Sequence, residues 1–326
     1  MNILITGGCG FIGSNFTRSA KKDSRFKKII NLDCLYPCAT RSSDLTENTD
    51  NYVFVKGNIN DQKLVLNLLI DHQIDLIVHF AAQSHVDTSF SNPLQYTEDN
   101  VLGTHNLLEA CRSYGKLYRF IHISTDEVYG ENDDNNEAKT ELSILNPSNP
   151  YSASKAAAEM FVNSYINSYK FPAIIIRSNN IYGEGQYPVK VLPKFIQQIR
   201  DGTPITIQGS GNQQRSFLYI DDIVSAVLCV IDKGIIGQIY NISSECEISI
   251  NQLAKMLLKL LKPRENPETH IITIPDRPFN DKRYFIKSDK LEALGWKQTI
   301  KFPEGLKKTL NWYLNTNTSD YWIETF

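Results

Sequence analysis

Short apolar, β-branched runs alternate with longer stretches of helical periodicity through the first half of the chain. Strand-like runs occupy 2–6, 28–32, 52–56, 76–80, 120–124 and 173–177, and helical patterns fall at about 11–22, 61–71, 93–114 and 150–169. Near-continuous apolar strands separated by helices predict a parallel sheet covered on both faces. That arrangement is the doubly wound α/β fold, whose ligands bind outside the carboxyl ends of the strands. Past residue 180 the pattern shortens and is broken by Gly and Pro. It predicts a helix near 189–201, a strand–helix unit at 216–233, another at 239–262 and a final helix at 303–315. The expected division is therefore a doubly wound domain over 1–180 and a smaller α/β lobe over 181–326 that closes on it. Part of 215–240 is expected to return to the first domain.

Composition narrows the class without naming a function. Of 326 residues, 41% are apolar and 21% charged, which suits an ordinary globule with a sizeable core. Thirty-four basic residues against 36 acidic give a net charge of −2, so no basic surplus drives counterion release from a polyphosphate. Nucleic acid is thus not expected as a partner. No apolar run approaches the roughly 18 residues of a membrane helix. The N-terminal Met1–Thr6 lacks a basic leader and runs into glycines, as a first strand does and a signal peptide does not. Cysteines stand at 9, 34, 38, 111, 229 and 246 with no Cys-x-x-Cys, and reduced, buried thiols in a cytoplasmic protein are expected.

Gly7-Gly8-Cys9-Gly10-Phe11-Ile12-Gly13 follows the first strand and opens the first helix. Glycines let a pyrophosphate approach the backbone, and the helix N-terminus offers unpaired N–H groups and a favourable dipole. Asp33 ends the second strand, where a carboxylate accepts from ribose hydroxyls and repels a 2′-phosphate. The combination predicts a Rossmann-type dinucleotide site with NAD as cofactor. Otherwise Asp33 is an ordinary solvated acid at a strand end. Asn58-Ile59, after the third strand, is placed to contact the adenine.

Tyr151 and Lys155 lie one helical turn apart on one face. A nearby ammonium favours the phenolate of a group whose pKa is otherwise ~10. The spacing is cheap among 16 tyrosines, and Tyr52-x-x-x-Lys56 matches it on a strand. Position distinguishes Tyr151: its helix follows Pro147 and Pro150, after the fifth strand and the loop Ser124-Thr125-Asp126-Glu127-Val128-Tyr129-Gly130. A hydroxyl and consecutive carboxylates at a strand's carboxyl end suit an enzyme that moves several protons; an exposed acidic turn is the plainer alternative. Strand alternation points Ser124 and Thr125 to opposite sides.

Gly7-x-x-Gly10-Phe-Ile-Gly13, Asp33, Phe80-Ala81-Ala82, Tyr151-x-x-x-Lys155 and Arg177 together resemble the extended short-chain dehydrogenase/reductases. Ser124–Gly130, Asn179-Asn180, Arg215–Tyr219 and Asp276–Tyr284 resemble, within them, the nucleoside-diphosphate-glucose 4,6-dehydratases over almost the whole chain. Gln83 and Phe279-Asn280 depart from the usual bacterial dTDP-glucose spelling, which has Glu and Gly-His there. They look more like UDP-glucose 4,6-dehydratases, including the dehydratase part of plant rhamnose synthases.

The resemblance implies conversion of UDP-glucose to the 4-keto-6-deoxy sugar by C4 oxidation, loss of water across C5–C6 and hydride return to C6, with dTDP-glucose as the alternative substrate. It implies Tyr151, Lys155 and Thr125 for the C4 hydroxyl proton, Glu127 as the C5 base and Asp126 as the acid for the C6 hydroxyl. Gly7, Gly10, Phe11, Ile12, Gly13, Asp33, Asn58, Ile59, Ala81, Ala82, Asn100, Tyr151 and Lys155 would hold NAD. Ser84, His85, Thr125, Asn180, Lys190, Arg215, Asn241, Arg277 and Asn280 would hold the nucleotide sugar. The resemblance also implies Asn100 as a support for the Tyr–Lys pair. As isolated residues, the two arginines would be surface ion pairs, the two Asn buried loop supports and Asn100 a plain polar helix position. No His/Cys/Asp spacing resembles a metal site, and no metal is expected.

The resemblance further implies a homodimer paired through the helices at 93–114 and 150–169. If the pathway leads to rhamnose, a separate epimerase/reductase completes it. Two rivals remain in view. A 4-epimerase or decarboxylase on the same scaffold is opposed by the Asp126-Glu127 pair. A catalytically silent NAD-binding scaffold is opposed by the presence of Thr125, Asp126, Glu127, Tyr151 and Lys155 together.

Overall fold

The computed structural model describes residues 1–132 and 137–323. Its strands are β1 (Asn2–Thr6), β2 (Lys28–Asp33), β3 (Tyr52–Lys56), β4 (Leu76–His79), β5 (Arg119–Thr125) and β6 (Ala173–Ser178). The second half adds β7 (Asn180–Tyr182), β8 (Ile205–Gln208), β9 (Gln214–Tyr219), β10 (Ile239–Ile242), β11 (Glu247–Ser249) and β12 (Ile271–Ile274).

Seven strands form one parallel sheet in the order β10-β6-β5-β4-β1-β2-β3. Its central members are apolar on both faces because both are covered: every residue of β5 is buried. Alternation sorts the side chains between two cores. Ile3, Ile5, Val78, Ile121 and Ile174 share one with Phe16 of the helix Phe11–Lys22 and Val227 of the helix Ile220–Lys233. Leu4, Ile77, Phe120 and Ile175 share the other with Leu107 of the helix Gly103–Tyr114 and Val162 of the helix Pro150–Tyr169. The chain winds outward from β1 through β2 to β3, then restarts at β4 on β1's other side. This reversal opens a crevice at the carboxyl ends of β1 and β4.

The second half lends the large sheet its outer strand, β10, in register with β6. The rest forms a small sheet of order β11-β9-β7, a parallel β8–β12 pair, and the helices Val191–Arg200, Ile250–Leu261 and Phe302–Asn315. The short strands β7, β8 and β12 are absent from the periodicity, since runs of three or four residues carry too little alternation to read.

One expected helix differs in kind. The stretch 93–114 is not one regular helix: Pro93–Tyr96 runs into a π-helical turn, Thr97–Leu102, before Gly103–Tyr114. The wide turn brings buried Asp99 and Asn100 against the loop after β4, where both bond Gln83. Among the described residues no helix is long and apolar enough to cross a membrane.

Candidate active site

A cavity of about 460 Å³ occupies the crevice at the carboxyl ends of the strands and extends to residues of the small lobe. Its floor is the glycine-rich turn. Gly7 has φ +72°, and a Cβ there would stand 2.5 Å from the Ala81 nitrogen, so only glycine lets the β1 and β4 turns meet. At Gly13 a Cβ would press to 2.1 Å on the Gly7 carbonyl oxygen. Gly10 is different, because its Cβ would meet only that oxygen, at 3.3 Å, and otherwise open space. Gly10 also caps the helix Phe11–Lys22 without any side-chain cap. Unpaired N–H groups of Phe11, Ile12 and Gly13 are thus presented at the cavity wall, a ready anion site.

Asp33 closes one end of this floor. Its carboxylate accepts the Cys9 N–H at 2.8 Å and the Leu35 N–H at 2.7 Å, while burial raises its pKa. Asn58, Ile59, Ala81 and Ala82 line the wall beside it.

The proton-handling groups gather where β5 ends. Thr125 caps the 3₁₀ turn Asp126–Tyr129, its hydroxyl accepting the Glu127 N–H at 3.3 Å and standing close enough to the Tyr151 phenol to lower its pKa. Tyr151 sits in the first turn of the helix Pro150–Tyr169, which is set by Asn149: Asn149 and Ser152 form a reciprocal capping box. Lys155, one turn on, is buried and donates to the Ile123 carbonyl at 2.6 Å, and burial brings its pKa down to about 8. Thr125, Glu127, Tyr151 and Lys155 all line the cavity. Burial and then the Glu127 charge push the Tyr151 phenol above its ordinary value, with Thr125 pulling back. These groups by themselves favour protonated Tyr151.

Opposite stand the basic groups. Arg215 and Arg277 both donate to the Asn280 Oδ1, at 3.2 and 2.7 Å. Two guanidinium groups converging on one neutral oxygen create a strong local demand for an anion. Arg277 also lies 3.5 Å from Asp87, and Arg215 stacks 4.9 Å over the Tyr284 ring. Lys190 donates to the Ser84 carbonyl at 2.6 Å and burial lowers its pKa. His85, desolvated and beside Lys190, is pushed down to about 3 and is neutral at physiological pH. Ser84, His85, Asn180, Lys190, Arg215, Arg277 and Asn280 all line the cavity.

Two expected ligand contacts, Asn100 and Asn241, need correction, and Ser124 and Asp126 need placing. Asn100 does not line the cavity: its amide is spent on the Gln83 backbone, at 2.7 and 3.0 Å, and on the Ser154 hydroxyl at 2.8 Å. It fixes the helix that carries Tyr151 and Lys155 and contacts no ligand space. Asn241 lies on β10, fully buried, and its Oδ1 accepts the Tyr129 hydroxyl at 2.8 Å. Its strand pairs β6 within the large sheet, which removes its side chain from the cavity. Ser124 and Thr125 both line the cavity where it wraps the strand end, with the Ser124 hydroxyl oxygen itself buried. Asp126 lies just behind the wall and does not line it. It accepts the Asn179 amide at 2.6 Å and the Thr125 hydroxyl at 3.2 Å. Burial and the Glu127 charge raise its pKa to about 7, against the pull of those two bonds.

Sequence reasoning passed over the supports. Asn149 donates to Glu127 Oε2 at 3.3 Å, Asn179 holds Asp126, and the Tyr284 hydroxyl lies 3.5 Å from Glu127. Only Asn149 left a readable signal, its spacing to Ser152 before an apolar helix. Among the described residues no group of His, Cys, Asp and Glu is arranged to hold a metal.

Comparison with known proteins agrees with this geometry. A profile of the GDP-mannose 4,6-dehydratase family matches residues 4–309. A trifunctional Arabidopsis thaliana protein, UDP-glucose 4,6-dehydratase/UDP-4-keto-6-deoxy-D-glucose 3,5-epimerase/UDP-4-keto-L-rhamnose-reductase, is 45% identical over 323 residues. The match covers 98% of this chain but 48% of the plant protein, so the chain spans about half the length of such relatives. Mouse dTDP-D-glucose 4,6-dehydratase is 46% identical over 315 residues, covering 95% of this chain and 88% of that protein. Among solved structures, the dTDP-glucose 4,6-dehydratase DesIV of Streptomyces venezuelae, determined with NAD bound, superposes with a TM-score of 0.90 at 36% identity. That match covers 96% of this chain and 97% of DesIV. The Thermotoga maritima UDP-glucose 4-epimerase shares the scaffold with a TM-score of 0.86 at 29% identity, over 96% of this chain and 99% of its own. With a family profile matching from β1 to the last helix, and identities near one half across nearly all of its length, the chain belongs to the GDP-mannose 4,6-dehydratase family of extended short-chain dehydrogenase/reductases.

Proposed function

We propose that this protein is a nucleoside-diphosphate-glucose 4,6-dehydratase acting on UDP-glucose. The observation that carries the reading is the continuity of one cavity, which joins the glycine-rich floor, the Thr125–Glu127–Tyr151–Lys155 cluster and the Arg215–Arg277 pair. Such a cavity suits a dinucleotide laid against a diphosphate sugar, and relatives that span the whole chain carry names of this activity.

The floor fits NAD: open space at Gly10, unpaired N–H groups at the helix start and the buried Asp33 carboxylate suit a pyrophosphate and an unphosphorylated ribose. NAD supplies hydride acceptance from C4 and donation to C6, with no net consumption. This chain's residues do the rest. Tyr151, with Thr125 beside it, receives the C4 hydroxyl proton. The cationic Lys155 and the positive nicotinamide ring both favour the phenolate that Tyr151 resists forming by itself.

The C4 ketone acidifies C5–H, and Glu127, held by Asn149 at the cavity wall, removes that proton. Asp126 is protonated near neutrality and gives a proton to the departing C6 hydroxyl. From its place behind the wall, one bridging water or a side-chain rotation completes the transfer. Arg215, Arg277 and Lys190 take the diphosphate charge, with Ser84, His85, Asn180 and Asn280 around them.

The choice of uracil over thymine rests on the spelling at Gln83 and Phe279-Asn280. A homodimer through the helices Gly103–Tyr114 and Pro150–Tyr169 belongs to the same proposal; exposed Leu94, Leu102, Met160 and Tyr169 on or beside them support it. So does a cytoplasmic site of action. If the pathway leads to rhamnose, an epimerase/reductase activity would consume the keto sugar.

Purified protein incubated with UDP-glucose and with dTDP-glucose, each followed by mass spectrometry, tests the proposal. Loss of one water from UDP-glucose, faster than from dTDP-glucose, is expected. Preference for dTDP-glucose overturns the base, and loss from neither, with NAD present, overturns the activity.

A further inference from the structure

The last described residues run back across the molecule to the cofactor side of the cavity. Ile323 accepts the Cys38 N–H at 2.8 Å and donates to the Ala39 carbonyl at 2.9 Å, while Tyr321 accepts the Arg41 N–H at 3.0 Å. Trp322 thereby pairs with Thr40 in an antiparallel bridge. The Thr40 N–H in turn donates to the Cys9 carbonyl at 2.8 Å, inside the glycine-rich turn. Pro37, Cys38 and Ala39 all line the cavity, so this segment backs the loop that closes its cofactor end.

Two of these residues, Tyr321 and Trp322, also meet the opposite wall. Trp322 is buried, and its indole N–H donates to the Gly185 carbonyl at 3.1 Å. Its ring stands edge-on to Tyr187, centroids 5.5 Å apart. Gly185 has φ +79°, and a Cβ there would fall 2.8 Å from the Tyr321 hydroxyl, so the two segments meet at backbone range. The neighbouring Gln186 and Tyr187 line the cavity, within the stretch that runs from Asn180 to Lys190 on the side assigned to the nucleotide sugar.

We propose that Trp322 is a positioning residue whose indole N–H ties the substrate-side wall at Gly185 to the cofactor-side loop at Thr40, so that occupation of the nucleoside-diphosphate side slows release of the dinucleotide. The reasoning is mechanical. Opening the cofactor loop must either break the Thr40–Trp322 pairing or drag Trp322 off Gly185. A nucleoside diphosphate that orders the Asn180–Lys190 stretch stabilises the second contact and, through it, the first. By whatever factor this raises the equilibrium affinity for the dinucleotide, linkage requires the dinucleotide to raise nucleoside-diphosphate affinity equally. The inference rests on the proposed division of the cavity between dinucleotide and nucleotide sugar.

Trp322→Phe isolates the claim, because it keeps an aromatic ring against Tyr187 and removes only the N–H donor. NAD release from the unaltered protein is timed with and without saturating UDP, then repeated in the variant. The expected result is a release rate slowed several-fold by UDP in the unaltered protein and nearly unaffected by UDP in the variant. Melting temperatures should stay within a few degrees, which a merely structural role would not allow. Hydrogen exchange at the Cys38 and Arg41 amides supplies an independent readout, with UDP slowing exchange in the unaltered protein only. Equal slowing by UDP in both proteins overturns the coupling, as does absence of any slowing in the unaltered one. Failure of the unaltered protein to bind NAD at all would instead overturn the proposed function.

Discussion

Asn179, at the cavity wall, donates its side-chain amide to the Asp126 carboxylate across 2.6 Å, and Asp126 is buried just behind the wall that Glu127 faces. Adjacent carboxylates thus receive opposite surroundings. Burial and the Glu127 charge lift Asp126 to about 7, and the Asn179 bond restrains the rise. A general acid must be protonated, so turnover falls as pH rises through about 7. Removing the restraint with Asn179→Leu should move that alkaline limb to higher pH, read from kcat against pH. An unmoved limb would detach it from Asp126. The stability sign follows from the same shift. Between 3.8 and about 7 the folded protein holds a proton that the unfolded chain has lost, so this group's contribution to stability declines as pH rises through that window.

Glu127 lines the cavity and accepts from Asn149 at 3.3 Å, a neutral donor that a glutamine could keep facing. Glu127→Gln should therefore fold normally and still produce NADH absorbance on adding substrate. Dehydrated product should fall by ~10²–10⁴, the usual worth of a positioned base. Full dehydration by this variant would sink the assigned role.

The glycines separate folding from binding. Gly13→Ala drives a methyl to 2.1 Å from the Gly7 carbonyl oxygen and should lower the melting temperature. At Gly10 a Cβ meets one atom, the Gly7 carbonyl oxygen at 3.3 Å, so Gly10→Val should lower melting far less than Gly13→Ala. Its branched side chain enters the dinucleotide's space, so NAD affinity should drop more than tenfold by calorimetric titration. Unchanged NAD affinity in Gly10→Val would contradict the floor as a pyrophosphate site.

Arg177 on β6 and Glu159 form a buried ion pair, and Arg177 also donates to the Tyr129 hydroxyl at 2.7 Å. Tyr129 ends the turn that carries Asp126 and Glu127. Breaking a buried pair by removing one partner costs ~3–5 kcal/mol. Glu159→Gln should lower the unfolding free energy by that order in a denaturant titration, whereas breaking the exposed Arg112–Glu109 pair should change it far less.

The sheet and the helices flanking it were legible because their signals are local. β1, β3 and the helices at 11–22 and 150–169 coincide with the apolar runs and periods that predict them. Residues at strand ends and in the glycine turn were legible for the same reason. The supports were not. Asn179 holds Asp126 from 53 residues away and Tyr129 reaches Asn241 across 112, and no periodicity encodes a contact of that separation. Asn241 was misplaced because an Asn after a strand reads alike whether its side chain enters a cavity or a sheet core. The π turn at Thr97–Leu102 hid inside helical spacing, since one wide turn barely disturbs the pattern.

Hydride bookkeeping tests the central claim most directly. UDP-glucose carrying deuterium at C4 is incubated with the purified protein and NAD, and the product is read by mass spectrometry and NMR. The account predicts loss of one water with the deuterium recovered at C6, since one cavity serves oxidation, elimination and return. Deuterium returned to C4 with no water lost, as a 4-epimerase would give, contradicts it.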